Sequence, residues 1–393
     1  MEAWHGDERL NILMGSGVTR RREGGVAAII YNLGRELERL GHKVTYVFFD
    51  DLVTPGSVSP RFMDLIFSYR LAQYIRHSRE KFSLVNLHAP SGMVYGLLRK
   101  WVGSDKWPPY VMTLHGLEER RVHVMRREAA KGRAWNFGWK NRLWHRLYHI
   151  PRFRCAIRTA DAAHVFARDV WNCLVLNYDL DDDRVRYIPN GVEQRFFVER
   201  GYRLNGKLRL LYAGTWLDQR GIFYIRDAFT NLARRNLAFT ITFAGTRAPA
   251  EEIVRFFGPE LAPLVIVRDV VPAERMQELY AEHDIFVFPS LMEGLPSVLL
   301  EAMASGMPVV TTETCGMSDV VEDGFNGLLI PPADAIALEE AVMRLANSEE
   351  LRARLGNAAS QTMNRYTWED SALRLESLFR RVLRGAAGKS HPN

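Results

Sequence analysis

The chain has 393 residues, of which 47% are apolar and 25% are charged, so two domains with separate cores are the expected organisation. It contains no run of about 20 uncharged apolar residues, and its polar first ten residues lack the apolar stretch of a secretory signal. We therefore expect a cytoplasmic protein. The net charge of +6 is uneven: residues 1–190 hold 30 Lys+Arg against 20 Asp+Glu, and the remainder holds 22 against 26, which favours an anionic partner for the first half.

Short apolar, β-branched runs alternate with helical patterns along the chain. In the first half the predicted strands are 10–14, 43–49, 84–87, 110–114, 162–166 and 184–188, with a helix over 24–40. In the second half they are 207–212, 238–243, 264–267, 285–288, 307–311 and 327–330, and the predicted C-terminal helices are 333–346, 349–365 and 368–383. This alternation predicts an α/β protein with two doubly wound parallel sheets.

The two series of strands meet near 192–206, which has no clear period. We predict one lobe over 1–195, a second over 196–366, and a C-terminal segment over 367–393 in which a helix is followed by a disordered tail from 385. Ligands of open parallel sheets bind beyond the C-terminal strand ends. Two such lobes facing a central cleft would bring two substrates together.

The most specific motif is the segment 293–310, EGLPSVLLEAMASGMPVV. It predicts a loop and then a helix that starts near Pro296 or Ser297, where Ser can cap free N–H groups. A helix N-terminus suits a phosphate, and Glu293 and Glu301 can accept hydrogen bonds from hydroxyls on either side of it. That is the layout of a nucleotide sugar. The alternative is a capped surface helix with two solvated glutamates.

This segment, with its two glutamates eight positions apart, resembles the signature of the retaining nucleotide-sugar glycosyltransferases of family 4, which have the GT-B fold of two Rossmann-like lobes. The resemblance covers nearly the whole chain and includes YIPNGVE at 187–193 and DVVEDGFNGLL at 319–329. It implies that Glu293 contacts the transferred sugar and that Glu301 binds the ribose. It also implies that the backbone around four residues holds the sugar and phosphate: Gly294, Leu295, Pro296 and Ser297.

A second candidate site is YAGTWLDQRG at 212–221, which contains Gly214, Thr215 and Arg220. Family members usually carry Arg and Lys here to neutralise the pyrophosphate. In this chain Thr215 stands at the Arg position and Arg220 at the Lys position. Arg220 can still hold a phosphate bidentately, and we expect weak donor binding unless another cation, such as Arg247 or Arg268, compensates. The alternative is a helix start with a solvated arginine.

In the first lobe, Gly24 and Gly25 open a helix, and His115 follows the strand 110–114. The family has a Gly-Gly pair near the donor phosphate and often a His near the transferred sugar. The resemblance therefore adds Gly24 and Gly25 to the donor-binding residues, and it adds His115 to Arg220 and Glu293 as catalytic residues. The alternatives are turn glycines and a structural histidine.

The segment 120–158 holds 12 Lys+Arg and one acid, Glu128, with interleaved aromatic residues. This composition suits an anionic membrane surface, and also nucleic acid or an ordinary solvated helix. The resemblance favours the membrane, because the family's first lobe takes the acceptor and many acceptors are lipid-linked glycans. It also implies that the C-terminal helix crosses back to the first lobe.

We therefore predict a retaining hexosyltransferase, peripheral at the inner face of the membrane, that moves a sugar from a nucleotide sugar to a glycan or lipid-linked acceptor in polysaccharide biosynthesis. We expect no nucleic-acid partner, no other cofactor and no metal, since no group of His, Cys, Asp and Glu has zinc spacing. Two alternatives remain open: a nucleotide-sugar epimerase, and a non-catalytic nucleotide-sugar-binding protein, the latter suggested by Thr215. A GT-B phosphorylase would need a cofactor lysine, for which the sequence has no supporting motif, and the site motifs weigh against a basic nucleic-acid binder.

Overall fold

The structure is a computed structural model that describes residues 8–20, 25–54, 56, 59, 62–103, 106–135, 137–178, 180–204, 206–268 and 270–389. The chain forms two compact units. Unit 1 comprises Met1–Glu119, Trp139–Asn190 and Trp368–Asn393, and unit 2 comprises Arg120–Gly138 and Gly191–Thr367.

Unit 1 is built on a six-stranded parallel sheet in the order β2-β1-β3-β4-β5-β6. Its strands are β1 (Asn11–Gly15), β2 (Lys43–Val47), β3 (Leu84–His88), β4 (Tyr110–Leu114), β5 (Ala162–Val165) and β6 (Val185–Tyr187). Its helices are α1 (Gly25–Arg39), α2 (Phe49–Leu52), α3 (Met63–His77), α4 (Met93–Val102), α6 (Trp139–Trp144), a π-helix (His145–His149), α7 (Ile150–Thr159), α8 (Arg168–Tyr178) and α16 (Trp368–Lys389). Helix α5 (Glu118–Ala130) begins in unit 1 and continues in unit 2.

The central strands of this sheet are buried on both faces, since every residue of β3 and β4 is buried. That is why apolar residues predominate along both strands without an alternating pattern, with Asn86, His88 and Thr113 as buried polar residues. Helix α16 packs against α1 within unit 1. The helix continues to Lys389, so the disorder predicted from residue 385 is wrong for residues 385–389. The last four residues, 390–393, lie outside the described residues.

Unit 2 is built on a second parallel sheet, in the order β12-β11-β10-β7-β8-β9. Its strands are β7 (Leu208–Ala213), β8 (Phe239–Ala244), β9 (Val265–Arg268), β10 (Ile285–Phe288), β11 (Val309–Thr312) and β12 (Leu328–Ile330). Its remaining helices are α9 (Ile222–Arg234), α10 (Ala250–Leu261), α11 (Met276–Glu282), α12 (Ser297–Ala304), α13 (Met317–Val320), α14 (Ala335–Asn347) and α15 (Glu349–Met363). The predicted class, α/β with two Rossmann-like sheets, is confirmed.

The strand order of each sheet identifies where a ligand can bind. Along the chain the order reverses between β1 and β3 in unit 1, and between β7 and β10 in unit 2. Because right-handed crossovers place helices on opposite faces on either side of such a reversal, a crevice opens there at the carboxyl ends of the strands. In unit 2 that crevice is bounded by the segments that follow Ala213 and Phe288.

The basic and aromatic segment 120–158, predicted as one surface, is divided between the two units. Its first part packs on unit 2, where buried Glu128 accepts a hydrogen bond from the Tyr224 hydroxyl at 2.6 Å. Trp135 lies 5.4 Å from the ring of Phe223 and donates its backbone N–H to Asp218. These contacts account for several of its charged and aromatic residues without an external partner.

Candidate functional site

The loop from β7 to α9 has a geometry that only glycine permits at two positions. Gly214 and Gly221 have φ angles of 147° and 75°. A Cβ atom on Gly221 would lie 2.0 Å from the carbonyl oxygen of Pro289, so the loop approaches the end of β10 at backbone distance. This approach places Arg220 beside the β10 segment, at the strand-order reversal.

Arg220 and Glu293 form an ion pair at this point, with Nε of Arg220 3.3 Å from Oε1 of Glu293. Both side chains are largely buried, at 19% and 13% exposure. Burial alone would lower the pKa of Arg220, but the Glu293 carboxylate and the Tyr212 hydroxyl raise it above its ordinary value. The Ser290 hydroxyl donates to Glu293 at 3.2 Å and holds this carboxylate in place. The structure therefore brings two of the predicted site residues together as a fixed, charged pair.

The N-terminus of α12 lies in the same segment and has no side-chain cap among the described residues. The helix begins at Ser297 with Pro296 as its N-cap residue, so the prediction that Ser297 caps the helix is wrong. The preceding loop is fixed because the Gly316 N–H donates to the carbonyl oxygen of Gly294 at 2.8 Å. A Cβ on Gly316 would lie 2.3 Å from that oxygen. An uncapped helix start in a fixed position offers N–H donors to an anion.

Glu301 lies inside α12 and accepts a hydrogen bond from the buried Tyr280 hydroxyl at 2.8 Å. Burial raises the pKa of Glu301 to about 7, partly opposed by the Tyr280 hydrogen bond and by Arg195. The carboxyl group therefore changes charge near neutral pH. A ligand hydroxyl that donates to it would favour the ionised form.

Thr215 lies two residues after the end of β7 and is half-buried, and its carbonyl oxygen accepts a hydrogen bond from the Tyr212 hydroxyl at 3.3 Å. Of the two cations suggested as replacements at this position, Arg268 pairs with Glu282 at 3.6 Å and Arg247 is exposed. Arg220 is thus the cation that this loop contributes to the crevice.

In unit 1, His115 directly follows β4 and contacts a second histidine at the end of β3. Nδ1 of His88 lies 2.7 Å from Nε2 of His115, and the two rings stack at 5.0 Å. Phe166 stacks on His115 from another side at 4.9 Å. Burial and the neighbouring His164 lower the pKa of His115 to about 3, so His115 is neutral at physiological pH.

The proton between the two histidines can be assigned from the unpaired nitrogen. Nε2 of His88 is buried and has no hydrogen-bond partner among the described residues. A buried acceptor without a partner is better tolerated than a buried N–H without one, so we assign the shared proton to Nδ1 of His88. His115 then accepts at Nε2 and carries its own proton on Nδ1, which makes it a hydrogen-bond donor.

The predicted glycine pair at the start of α1 is described only in part. Gly25 is exposed, opens the helix and has a φ of 68°, a conformation that favours glycine. Gly24 lies outside the described residues. Gly25 and His115 belong to unit 1, whereas Gly214, Thr215, Arg220, Glu293, residues 294–297 and Glu301 belong to unit 2.

Sequence reasoning missed three supporting residues: Tyr280, Ser290 and His88. Tyr280 lies in a short helix with no motif, and only the tertiary structure places it against Glu301. Ser290 and His88 could have been found, because Ser290 comes shortly after β10 and His88 ends β3, both at the ligand-binding edge of a parallel sheet.

Two protein-family models match the chain. The model described as "Glycosyltransferase Family 4" matches residues 23–196, and the one described as "Glycosyl transferases group 1" matches residues 207–348.

Individual proteins agree with these models. An uncharacterized glycosyltransferase of Methanocaldococcus jannaschii is 24% identical over 317 residues, which cover 80% of each chain. Alpha-D-kanosaminyltransferase of Streptomyces kanamyceticus is 27% identical over 191 residues, 48% of this chain and half of that relative's length. Among solved structures, sucrose-phosphate synthase from Thermosynechococcus elongatus superimposes with a TM-score of 0.78 at 17% identity, covering 95% of this chain and all of that one.

Proposed function

This chain is a glycosyltransferase of family 4 with the GT-B fold, and we propose that it moves a sugar from a nucleoside diphosphate sugar to an acceptor hydroxyl with retention of the anomeric configuration. The observation that carries the proposal is the buried Arg220–Glu293 pair at the strand-order reversal of unit 2, in the segment that leads into the uncapped start of α12. A crevice with one cation, free amides and flanking carboxylates suits a ligand with phosphates between hydroxyl groups.

In the proposed donor complex, the diphosphate lies between Arg220 and the first amides of α12. Glu293 accepts a hydrogen bond from a hydroxyl of the transferred sugar, and Glu301 accepts from the ribose. Because Arg220 is already paired with Glu293 and largely buried, it is fixed before the donor arrives, and little side-chain entropy is lost on binding.

The transfer step breaks the bond between the anomeric carbon and the phosphate oxygen and forms a bond from that carbon to the acceptor oxygen on the same face. The acceptor proton passes to the leaving phosphate oxygen, so no protein base is required. Arg220 and the α12 amides stabilise the charge that develops on the phosphate. His115, as a neutral donor, hydrogen-bonds a sugar hydroxyl. The proposed step uses no metal and no other cofactor.

We place the acceptor side on the part of the basic segment that belongs to unit 1. None of the helices in the described part of the chain combines the length and apolar character that a bilayer crossing requires. However, Trp139, Leu143 and Leu147 are 65%, 48% and 67% exposed. Their spacing of four places them along one side of α6 and the π-helix, and Lys140, Arg142 and Arg146 are exposed beside them. We infer that this surface docks on an anionic membrane and that the acceptor is a lipid-linked or polysaccharide-precursor glycan.

The donor site is tested by measuring donor binding calorimetrically with a panel of nucleotide sugars, and donor consumption with and without acceptor. Arg220→Ala and Glu293→Gln should each abolish most turnover, whereas Arg234→Ala, an exposed arginine on α9 of the same unit, should not. Full activity in either site variant would refute the assignment. Donor consumption that is equal without acceptor would indicate hydrolysis or epimerisation instead of transfer.

The membrane surface is tested by flotation with vesicles that contain phosphatidylglycerol. Leu143→Glu and Leu147→Glu should release the protein, because the apolar contribution to binding is lost. Added salt should also weaken binding, because it screens the charged contribution. Trp101→Ala is the matched control, since Trp101 is 84% exposed in unit 1 but lies on α4. Equal flotation of the Leu variants, or none by the parent protein, contradicts the proposal.

A further inference from the structure

Two histidines from one helical turn and a glutamate that is distant in sequence meet in unit 1 as potential metal ligands. Glu118 is the first residue of α5, and His145 and His149 are the first and last residues of the π-helix. Each residue offers one ligand atom, and these atoms all lie within 4.8 Å of one another. The two histidines are four positions apart in the sequence, and the carboxylate that completes the group comes from a separate element.

The distances in this cluster bracket those of a metal site. Nδ1 of His145 lies 2.7 Å from Oε1 of Glu118. In a tetrahedral zinc site with bonds of about 2.0–2.1 Å, neighbouring ligand atoms are about 3.3 Å apart. This pair is closer than a zinc site requires, and all three ligand atoms lie within 4.8 Å of one another. Shifts of about 1 Å in side-chain position would therefore accommodate a cation.

The environment of the cluster also favours a cation. The Glu118 and His145 side chains are only 8% and 10% exposed, and a buried carboxylate needs a charged or hydrogen-bonding partner. The positive charge of Arg152 near His149 opposes the binding of a metal cation. Oδ2 of Asp64, 3.4 Å from Nη2 of Arg152, offsets that charge. A π-helical turn is a rare conformation that occurs frequently at functional sites.

His149 already presents a nitrogen lone pair. The Trp144 indole N–H donates to Nε2 of His149 at 3.0 Å, so this nitrogen is unprotonated, which is the form that a metal requires. The indole hydrogen occupies the position that a cation at Nε2 would take. Binding there would displace the indole, which is also stacked on Tyr148 at 4.3 Å.

We propose that Glu118, His145 and His149 bind one divalent transition-metal ion, with water as the fourth ligand. Two imidazoles and one carboxylate form a donor set typical of Zn²⁺. The ion would tie the start of α5 to the π-helix and so hold the loop that carries His115. Its role is structural and separate from the donor site, so the proposal stands independently of the sugar-transfer reaction.

The test uses the full chain after treatment with a chelator, and Zn²⁺ and Co²⁺ as probes. We expect one equivalent of Zn²⁺ to bind in competition with a chromophoric chelator, and Co²⁺ to give the visible absorption of a tetrahedral site. Glu118→Gln and His149→Asn should weaken binding by at least the roughly 10–100-fold that loss of a supporting residue costs in metal sites. His123→Asn is the matched control, because His123 is exposed on α5.

A further variant keeps the test decisive if a ligand variant fails to fold. Trp144→Phe removes the competing indole N–H, so Zn²⁺ should bind more tightly than to the parent protein. Absence of stoichiometric binding to the folded parent protein would overturn the proposal. The same holds for equal affinity in a folded His149→Asn variant, or for Co²⁺ absorption typical of octahedral solvent coordination.

Discussion

Replacing Glu301 with Gln should stabilise the unliganded protein while weakening donor binding. Burial raises the pKa of Glu301 to about 7, compared with an ordinary value of 4.5. Because the folded-state pKa lies above the unfolded one, the folded state holds an extra proton between these values, and stability falls as the pH rises from 4.5 to 7. A pKa shift of this size lowers the free energy of unfolding by at most about 3 kcal/mol above pH 7. Gln removes this loss and can still accept the Tyr280 hydrogen bond.

The assay is thermal unfolding of the parent protein and Glu301→Gln at pH 5, 6 and 8 without ligand. At pH 8 the variant should be more stable by up to about 3 kcal/mol, or about 5–10 °C in midpoint for a unit of this size. At pH 5 the advantage should fall below about 1 kcal/mol, since Glu is then protonated in the folded protein and partly so in the unfolded chain. Glu193→Gln is the control, because Glu193 is half-buried near the same site and its carboxylate instead pairs with Arg195 at 2.9 Å.

Donor binding should change in the opposite direction. The parent protein should bind nucleotide sugar more tightly as the pH rises from 6 to 8, since the ribose hydroxyls favour the ionised carboxylate, and the variant should bind about 10–100-fold more weakly with no such dependence. A Glu301→Gln variant that is equally stable or less stable at pH 8, in a folded protein, would refute the argument that this carboxyl is buried at the expense of stability. Unchanged donor affinity would remove it from the ribose site.

Three further substitutions test the remaining parts of the site. Thr215→Arg should supply a second cation and tighten binding of a nucleoside diphosphate by roughly tenfold, as measured by calorimetry. Unchanged binding would show that this position faces away from the phosphates. His88→Leu should lower kcat by about tenfold with the donor KM unchanged, because His115 loses the donor that fixes its ring. Since the pKa of His115 is about 3, neither protein should show an inflection from that residue between pH 5 and 8. Gly221→Ala should lower the free energy of unfolding, measured with a chemical denaturant, by at least about 2 kcal/mol, since its Cβ would lie 2.0 Å from a carbonyl oxygen. Gly206→Ala is the control: with φ of 89° and no atom within 4 Å of its Cβ, it should lower this free energy only by the backbone strain.

Much of the proposed donor site could be predicted because its residues are close together in sequence. Glu293, residues 294–297 and Glu301 lie on one loop and one helix, so local geometry alone fixes their spacing. Arg220 lies on a different loop. Its pairing with Glu293 depends on β7 and β10 being neighbours, which follows from the strand order and was not visible in the pattern.

The class of the fold could be predicted from the sequence, because a parallel strand that is buried on both faces is mostly apolar along its length, and β4 was therefore predicted at its observed bounds. The start of α12 near Ser297 could also be predicted, although the expected Ser297 cap is not observed. The contacts between side chains of separate elements could not be predicted in this way. The Tyr280 hydroxyl on Glu301, the His88 ring against His115, and the cluster of Glu118, His145 and His149 all depend on packing between elements, which no local pattern encodes.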